Sequence, residues 1–116
     1  MSTTPNRSTV DPRILEMADQ IQRWIPGAEI RLFGSRAKGT HRSDSDIDLL
    51  VTAPDSWCQN NDRFIQTGLL WRSLARHNLP IDLLVYSQSE VRERMGLSSS
   101  VARQAYDSGI ALHEQP

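Results

Sequence analysis

Gly34-Ser35, ten intervening residues, then Asp46-Ile47-Asp48: the stretch RLFGSRAKGTHRSDSDIDLLV holds the residue types of this chain best suited to chemistry. In an extended strand, side chains two apart share a face, with Cα atoms roughly 6.5 Å apart. Asp46 and Asp48 can therefore grip a divalent cation between them. Without a cation, two such carboxylates repel by ~1 kcal/mol or more, depending on local dielectric. Mg²⁺ sites of this kind use a few protein carboxylates, with phosphates and waters completing the shell. Gly34, lacking a Cβ, lets backbone approach an anion. Ser35 and the N–H groups after it can face a phosphate if a helical turn starts there. Arg36, Lys38 and Arg42 add positive charge nearby, and Lys38 or Arg42 could neutralise a β- or γ-phosphate. The combination suits a metal-bound nucleoside triphosphate.

A third carboxylate lies in Pro80-Ile81-Asp82-Leu83-Leu84-Val85. An aspartate in so apolar a strand is unfavourable unless exposed, paired or metal-bound. If this strand neighbours the one carrying Asp46 and Asp48, Asp82 can share the ion or accept a proton from an attacking hydroxyl. Plainer readings exist for each group. Asp46 and Asp48 could be solvated at a strand edge, Asp82 a surface carboxylate, and Ser35 only a helix cap. Arg36, Lys38 and Arg42 could be a solvated basic loop, with His41 exposed in it.

Positioning these groups takes several elements. Residues 1–10 lack periodicity and read as a loose arm, leaving 11–116 as a single domain. Asp11-Pro12 has the form of an N-cap and first helical residue. Ile14, Ala18, Ile21 and Ile25 recur at helical spacing until Pro26-Gly27. Strands are expected over 28–33, 46–52, 81–86 and 110–112, the second with Ile47, Leu49 and Val51 on its core face. Residues 53–61 hold Pro54 and turn formers and read as a loop. Residues 62–77 read as the longest helix, with Phe64, Ile65, Leu70, Trp71 and Leu74 as its apolar stripe and Gly68 permitting close packing. Trp24 and Trp71 are expected in the core, and Trp57, in a loop, is open to a partner. Ser87 and Glu90 have capping-box spacing for a helix to about Met95. Ser98 or Ser99 opens a last helix that Gly109 closes. The predicted order, α-β-β-α-β-α-α-β, describes an α/β (α+β) domain with a mixed sheet of about four strands flanked by helices.

Composition narrows the function. The 116 residues carry a formal net charge of −1, which argues against a generic nucleic-acid binder. No apolar run is long enough to span a membrane, and the polar N-terminus does not read as a signal peptide. Cys58 is the single cysteine, so no intrachain disulfide or cysteine zinc cluster can form. A cytoplasmic protein is the expectation.

Gly34-Ser35, Asp46-Ile47-Asp48 and the later-strand Asp82 together resemble the minimal nucleotidyltransferases of the polymerase-beta-like superfamily, over about residues 28–113. The resemblance implies a nucleotidyltransferase-like fold and Mg²⁺-dependent transfer of a nucleoside monophosphate, AMP from ATP, to a hydroxyl. It assigns the triphosphate to Gly34 and Ser35, the metal to Asp46 and Asp48, and the metal or the acceptor proton to Asp82. Stand-alone versions are often antitoxins that modify a tyrosine of a helical HEPN-type ribonuclease toxin, or neutralise it by binding alone. A third reading is the catalytic subunit of a two-chain small-molecule nucleotidyltransferase. The chain's small size weighs against an aminoglycoside nucleotidyltransferase and against a polymerase.

Overall fold

The computed structural model describes residues 7–97 and 99–113. The expected arm over residues 1–10 is packed at its C-terminal end, while its first six residues lie outside the described ones. Arg7–Thr9 form a 3-10 turn, Arg7 Nε donates to Leu112 O at 2.9 Å, and Val10 is buried. Asp11 then caps α1 (Pro12–Trp24) by accepting from Arg13 N–H at 2.9 Å, with Pro12 at the first helical position. Ile14, Met17, Ala18 and Ile21 form its buried stripe.

The sheet contains β1 (Glu29–Phe33), β2 (Ile47–Ala53), β3 (Ile81–Ser87) and β4 (Ile110–His113) in the order β3-β2-β1-β4. β1 runs antiparallel to β2 and β4, and β2 runs parallel to β3. This is the mixed four-stranded sheet expected from sequence. A one-turn helix, α2 (Ser35–Lys38), follows β1 directly.

Strand alternation divides the sheet's faces. Ile47, Leu49, Val51 and Ala53 enter the larger core with the α1 stripe. Leu70 and Leu74 of α4 (Arg63–Leu74) pack into the same core. The alternate residues, Leu50 of β2 and Leu84 of β3, meet Phe33 and the Ala102 and Ala105 of α6 (Val101–Ser108). Asp48 and Asp82 have the same parity as Leu50 and Leu84, so they project to this second face. α6 is fastened there by Tyr106, whose hydroxyl bonds Thr52 Oγ1 at 3.2 Å and whose ring stacks under Arg31. Gly109 ends α6 where added side-chain bulk cannot fit: a Cβ would lie 2.2 Å from Ala105 O and 2.7 Å from Leu32 O.

Further expectations need correction. The loop predicted over 53–61 contains a helix, α3 (Asp55–Asn60). It is anchored from a distance: Asp55 accepts from Ser89 N–H at 3.0 Å and Ser89 Oγ at 2.7 Å. Those donors belong to α5 (Gln88–Met95), which starts with the predicted Ser87–Glu90 capping box. Trp57, read as open to a partner, is half-buried against the larger core. Another correction concerns α4. Only Leu70 and Leu74 of its expected stripe are buried, Phe64, Ile65 and Trp71 face outward, and a Cβ added to Gly68 would meet nothing within 4 Å. At 12 residues α4 is shorter than the 13-residue α1, and a 3-10 turn, Ala75–His77, continues it. Trp24 does pack against the larger core, its Nε1 donating to Gln66 Oε1 at 2.9 Å. The cap of α6 is Ser100, whose Oγ accepts from Arg103 N–H at 3.0 Å. Ser99 precedes that cap, and Ser98 lies outside the described residues.

Candidate functional site

The end of β1 and the beginnings of β2 and β3 meet at one end of the sheet. Phe33 stands opposite Asp48 across the antiparallel ladder, and Asp48 stands opposite Asp82 across the parallel one. Ile47 N–H donates to Pro80 O at 2.8 Å, joining the two strands at their start. Asp46 precedes β2 and is exposed, Asp48 is half-buried, and Asp82 is exposed. The condition left open by the sequence, that the two acidic strands be neighbours, is met.

Burial, then the charges of Asp82 and Asp46, raise the Asp48 carboxyl above its ordinary value. Gly34 closes the site from the side of β1. Its backbone lies at φ 74° and ψ −156°, a region open essentially to glycine. A Cβ there would fall 2.3 Å from Asp48 Oδ2. The sequence explains this glycine by anion approach; in the structure it also makes room for the aspartate.

α2 begins immediately beyond. Ala37 and Lys38 N–H both donate to Gly34 O at 3.2 Å, so the Ser35 and Arg36 N–H groups have no acceptor within the helix. Gly39, at φ 75°, ends the turn. The cations divide into two kinds. Arg36 is committed to the loop: Nε and Nη2 donate to Ser45 O at 3.1 and 2.9 Å, and Nη2 also reaches Ser43 O at 3.3 Å. It thereby holds the residue before Asp46. Lys38 and Arg42 are exposed, and neither forms an ion pair among the described residues. Arg42 N–H donates to Ser45 Oγ at 2.8 Å, tightening the same loop.

The donor set is all carboxylate oxygen, the hard ligand type that Mg²⁺ takes. Among the described residues, no three His, Cys, Asp or Glu side chains are placed to hold a metal by themselves. The set fits Mg²⁺ nonetheless, because this ion commonly binds one or two carboxylates and completes its octahedron with phosphates and waters.

One feature beside the site escaped the sequence reading. A cavity of about 430 Å³ opens on the flank of α2, with Asp11, Arg13, Arg36 and His41 among its lining residues. Its walls come from the residues leading into α1 and its first turn, from Leu32 of β1 and Ile110 of β4, and from α2 with the loop after it, and no local spacing signals such a meeting.

The family model for a nucleotidyltransferase domain matches residues 13–111. The chain belongs to the nucleotidyltransferase domain family. Among solved structures, this nucleotidyltransferase domain is similar to one described as the crystal structure of a toxin-antitoxin with AMP-PNP. The identity is 26%, the TM-score 0.59, and the match covers 90% of this chain and 73% of the other. A search of curated proteins finds no match. Among the described residues, no helix is long and apolar enough to cross a membrane.

Proposed function

We propose that this nucleotidyltransferase domain moves AMP from ATP to a protein hydroxyl, a tyrosine of a helical HEPN-type ribonuclease toxin, and so serves as its antitoxin in the cytoplasm. The observation that carries the reading is Asp48 opposite Asp82, with Asp46 close enough to raise the Asp48 carboxyl, all beside the Gly34 turn. The toxin-antitoxin neighbour with AMP-PNP supports both the partner and the adenine nucleotide.

In this reading Asp46 and Asp48 would hold Mg²⁺; the three carboxylates are not placed to hold an ion together, so Asp82 serves as the base rather than as a third ligand. When bound, the ion screens the clustered carboxylates and neutralises charge on the phosphates. Gly34 and the Ser35 and Arg36 N–H groups seat the triphosphate, and Lys38 or Arg42 reaches its outer oxygens. The tyrosine oxygen attacks the α-phosphorus, the bond from that phosphorus to the bridging oxygen of the β-phosphate breaks, and pyrophosphate departs. The phenolic proton passes to Asp82. Arg36 acts at one remove, by pinning the loop that delivers Asp46.

Co-expression with the toxin, followed by mass spectrometry of the toxin, tests this. A mass gain of one AMP is expected with the wild type and none with Asp46→Ala plus Asp48→Ala. Full neutralisation by the double variant, with no mass gain in either case, would reassign the protein as an antitoxin acting by binding alone.

A further inference from the structure

Among the described residues, four of the five large apolar side chains that are exposed belong to α4: Phe64 at 84%, Ile65 at 59%, Trp71 at 50% and Leu69 at 44%. They spread over the outer half of the helix, the side opposite Leu70 and Leu74. A cluster of this kind is unusual on an unpartnered surface. It continues into a cavity of about 230 Å³ lined by Trp71, Ala75, Asn78, Leu79, Pro80 and Ile81. Trp71 Nε1 donates to Ile81 O at 3.2 Å, bringing the patch to the residue before Asp82. Among the described residues β3 pairs only with β2, so its outer edge adjoins the same surface.

Charge selects the occupant. From Arg63 to His77 the chain has three arginines and no carboxylate. Arg63 is paired with Glu90. Arg72 and Arg76 form no ion pair among the described residues, Arg76 instead donating to Gln20 Oε1. In a two-fold dimer each patch meets its own copy, and the Arg63–His77 stretch offers no carboxylate to offset Arg72 and Arg76. An apolar surface rimmed with acidic residues matches the patch in both respects.

We propose that the outer face of α4, with the cavity at the start of β3, is the docking surface for the acceptor protein, which meets it with an apolar, acid-rimmed surface. This rests on the reading of the domain as a modifier of a protein hydroxyl. Docking beside Ile81 brings the acceptor around the sheet edge to the end where Asp82 is exposed. The same contact that supplies affinity thus delivers the hydroxyl.

The test uses the full chain and the HEPN-type toxin of the proposed function as acceptor. Phe64→Glu plus Leu69→Glu should weaken toxin binding by at least ~30-fold, the scale of an interfacial hot spot, with melting temperature and Mg-ATP affinity unchanged. AMP transfer should fail at low toxin concentration and return at high concentration. Arg72→Glu, a milder surface change, should weaken binding and flatten its dependence on salt. Toxin binding by the double variant within threefold of wild type overturns the docking surface and leaves the modifier reading intact. Wild-type protein that neither binds nor labels the toxin overturns both. A wild-type dimer in sedimentation, split by the same substitutions, also overturns the proposal and gives the patch to a second copy.

Discussion

Replacing Gly34 with alanine attacks the site through one methyl group. Two penalties add. Non-glycine residues held in the φ 74°, ψ −156° region pay about 1–3 kcal/mol in strain. The new Cβ also meets Asp48 Oδ2 at 2.3 Å and Cγ at 3.3 Å, against a comfortable separation of ~3.5 Å. The carboxylate must swing aside, at about 0.5–1.5 kcal/mol for an off-rotamer side chain. The sum, roughly 2–4 kcal/mol, lowers the melting temperature by about 8–16 °C at ~4 °C per kcal/mol for a domain of this size. Gly39→Ala supplies the control. Gly39 is also left-handed, at φ 75°, but nothing lies within 4 Å of its Cβ position, so its cost is ~1–2 kcal/mol of strain alone. Thermal melting and calorimetric titration with Mg-ATP read the comparison. Gly34→Ala should melt lower than Gly39→Ala and lose at least ~10-fold in Mg-ATP affinity, the usual effect of misplacing a ligand's support. Equal melting temperatures with equal affinities in the two variants would refute the reasoning.

Other outcomes follow from the same geometry. Asp48 has a raised carboxyl pKa, so the folded state holds its proton more tightly than the unfolded chain, and stability falls as pH rises from the usual 3.8 through the folded value. In metal-free buffer, Asp48→Asn should therefore melt above wild type at pH 7, and differential scanning calorimetry should find this gain absent near pH ~3, below the unfolded value; Mg²⁺ should stabilise wild type but not the variant. Arg36→Ala removes the bonds to Ser43 O and Ser45 O, so hydrogen exchange should quicken across 40–46 and Mg-ATP affinity fall with little change in melting temperature. Gly68→Ala, in an exposed helix interior with nothing within 4 Å, should stabilise by about 0.5–1 kcal/mol in urea unfolding.

The strands were legible because Ile47, Leu49 and Val51 alternate against Asp48, and a period of two leaves one choice of face; Asp46, expected as the first residue of that strand, precedes it. The glycine turn was legible for the same reason: it is local. The meeting of Asp82 with Asp48 could be stated only conditionally, because strand order is a long-range property. α3 was hidden because Asp55 finds its donors at Ser89, 34 residues away. α4 misled because apolar residues occupy both of its sides. Phe64 and Trp71 fit a helical stripe with Leu74 on paper, but the sheet takes only Leu70 and Leu74. Arg36 read as a phosphate ligand by type, whereas its partners in the fold are carbonyls of its own loop.

The most direct measurement of the central claim is transfer of label from ATP carrying it on the α-phosphate, in the presence of Mg²⁺ and the purified toxin. The account predicts covalent label on a toxin tyrosine, lost with Asp46→Ala plus Asp48→Ala and strongly reduced with Asp82→Asn. Label that persists when Asp46 and Asp48 are both alanine would contradict it.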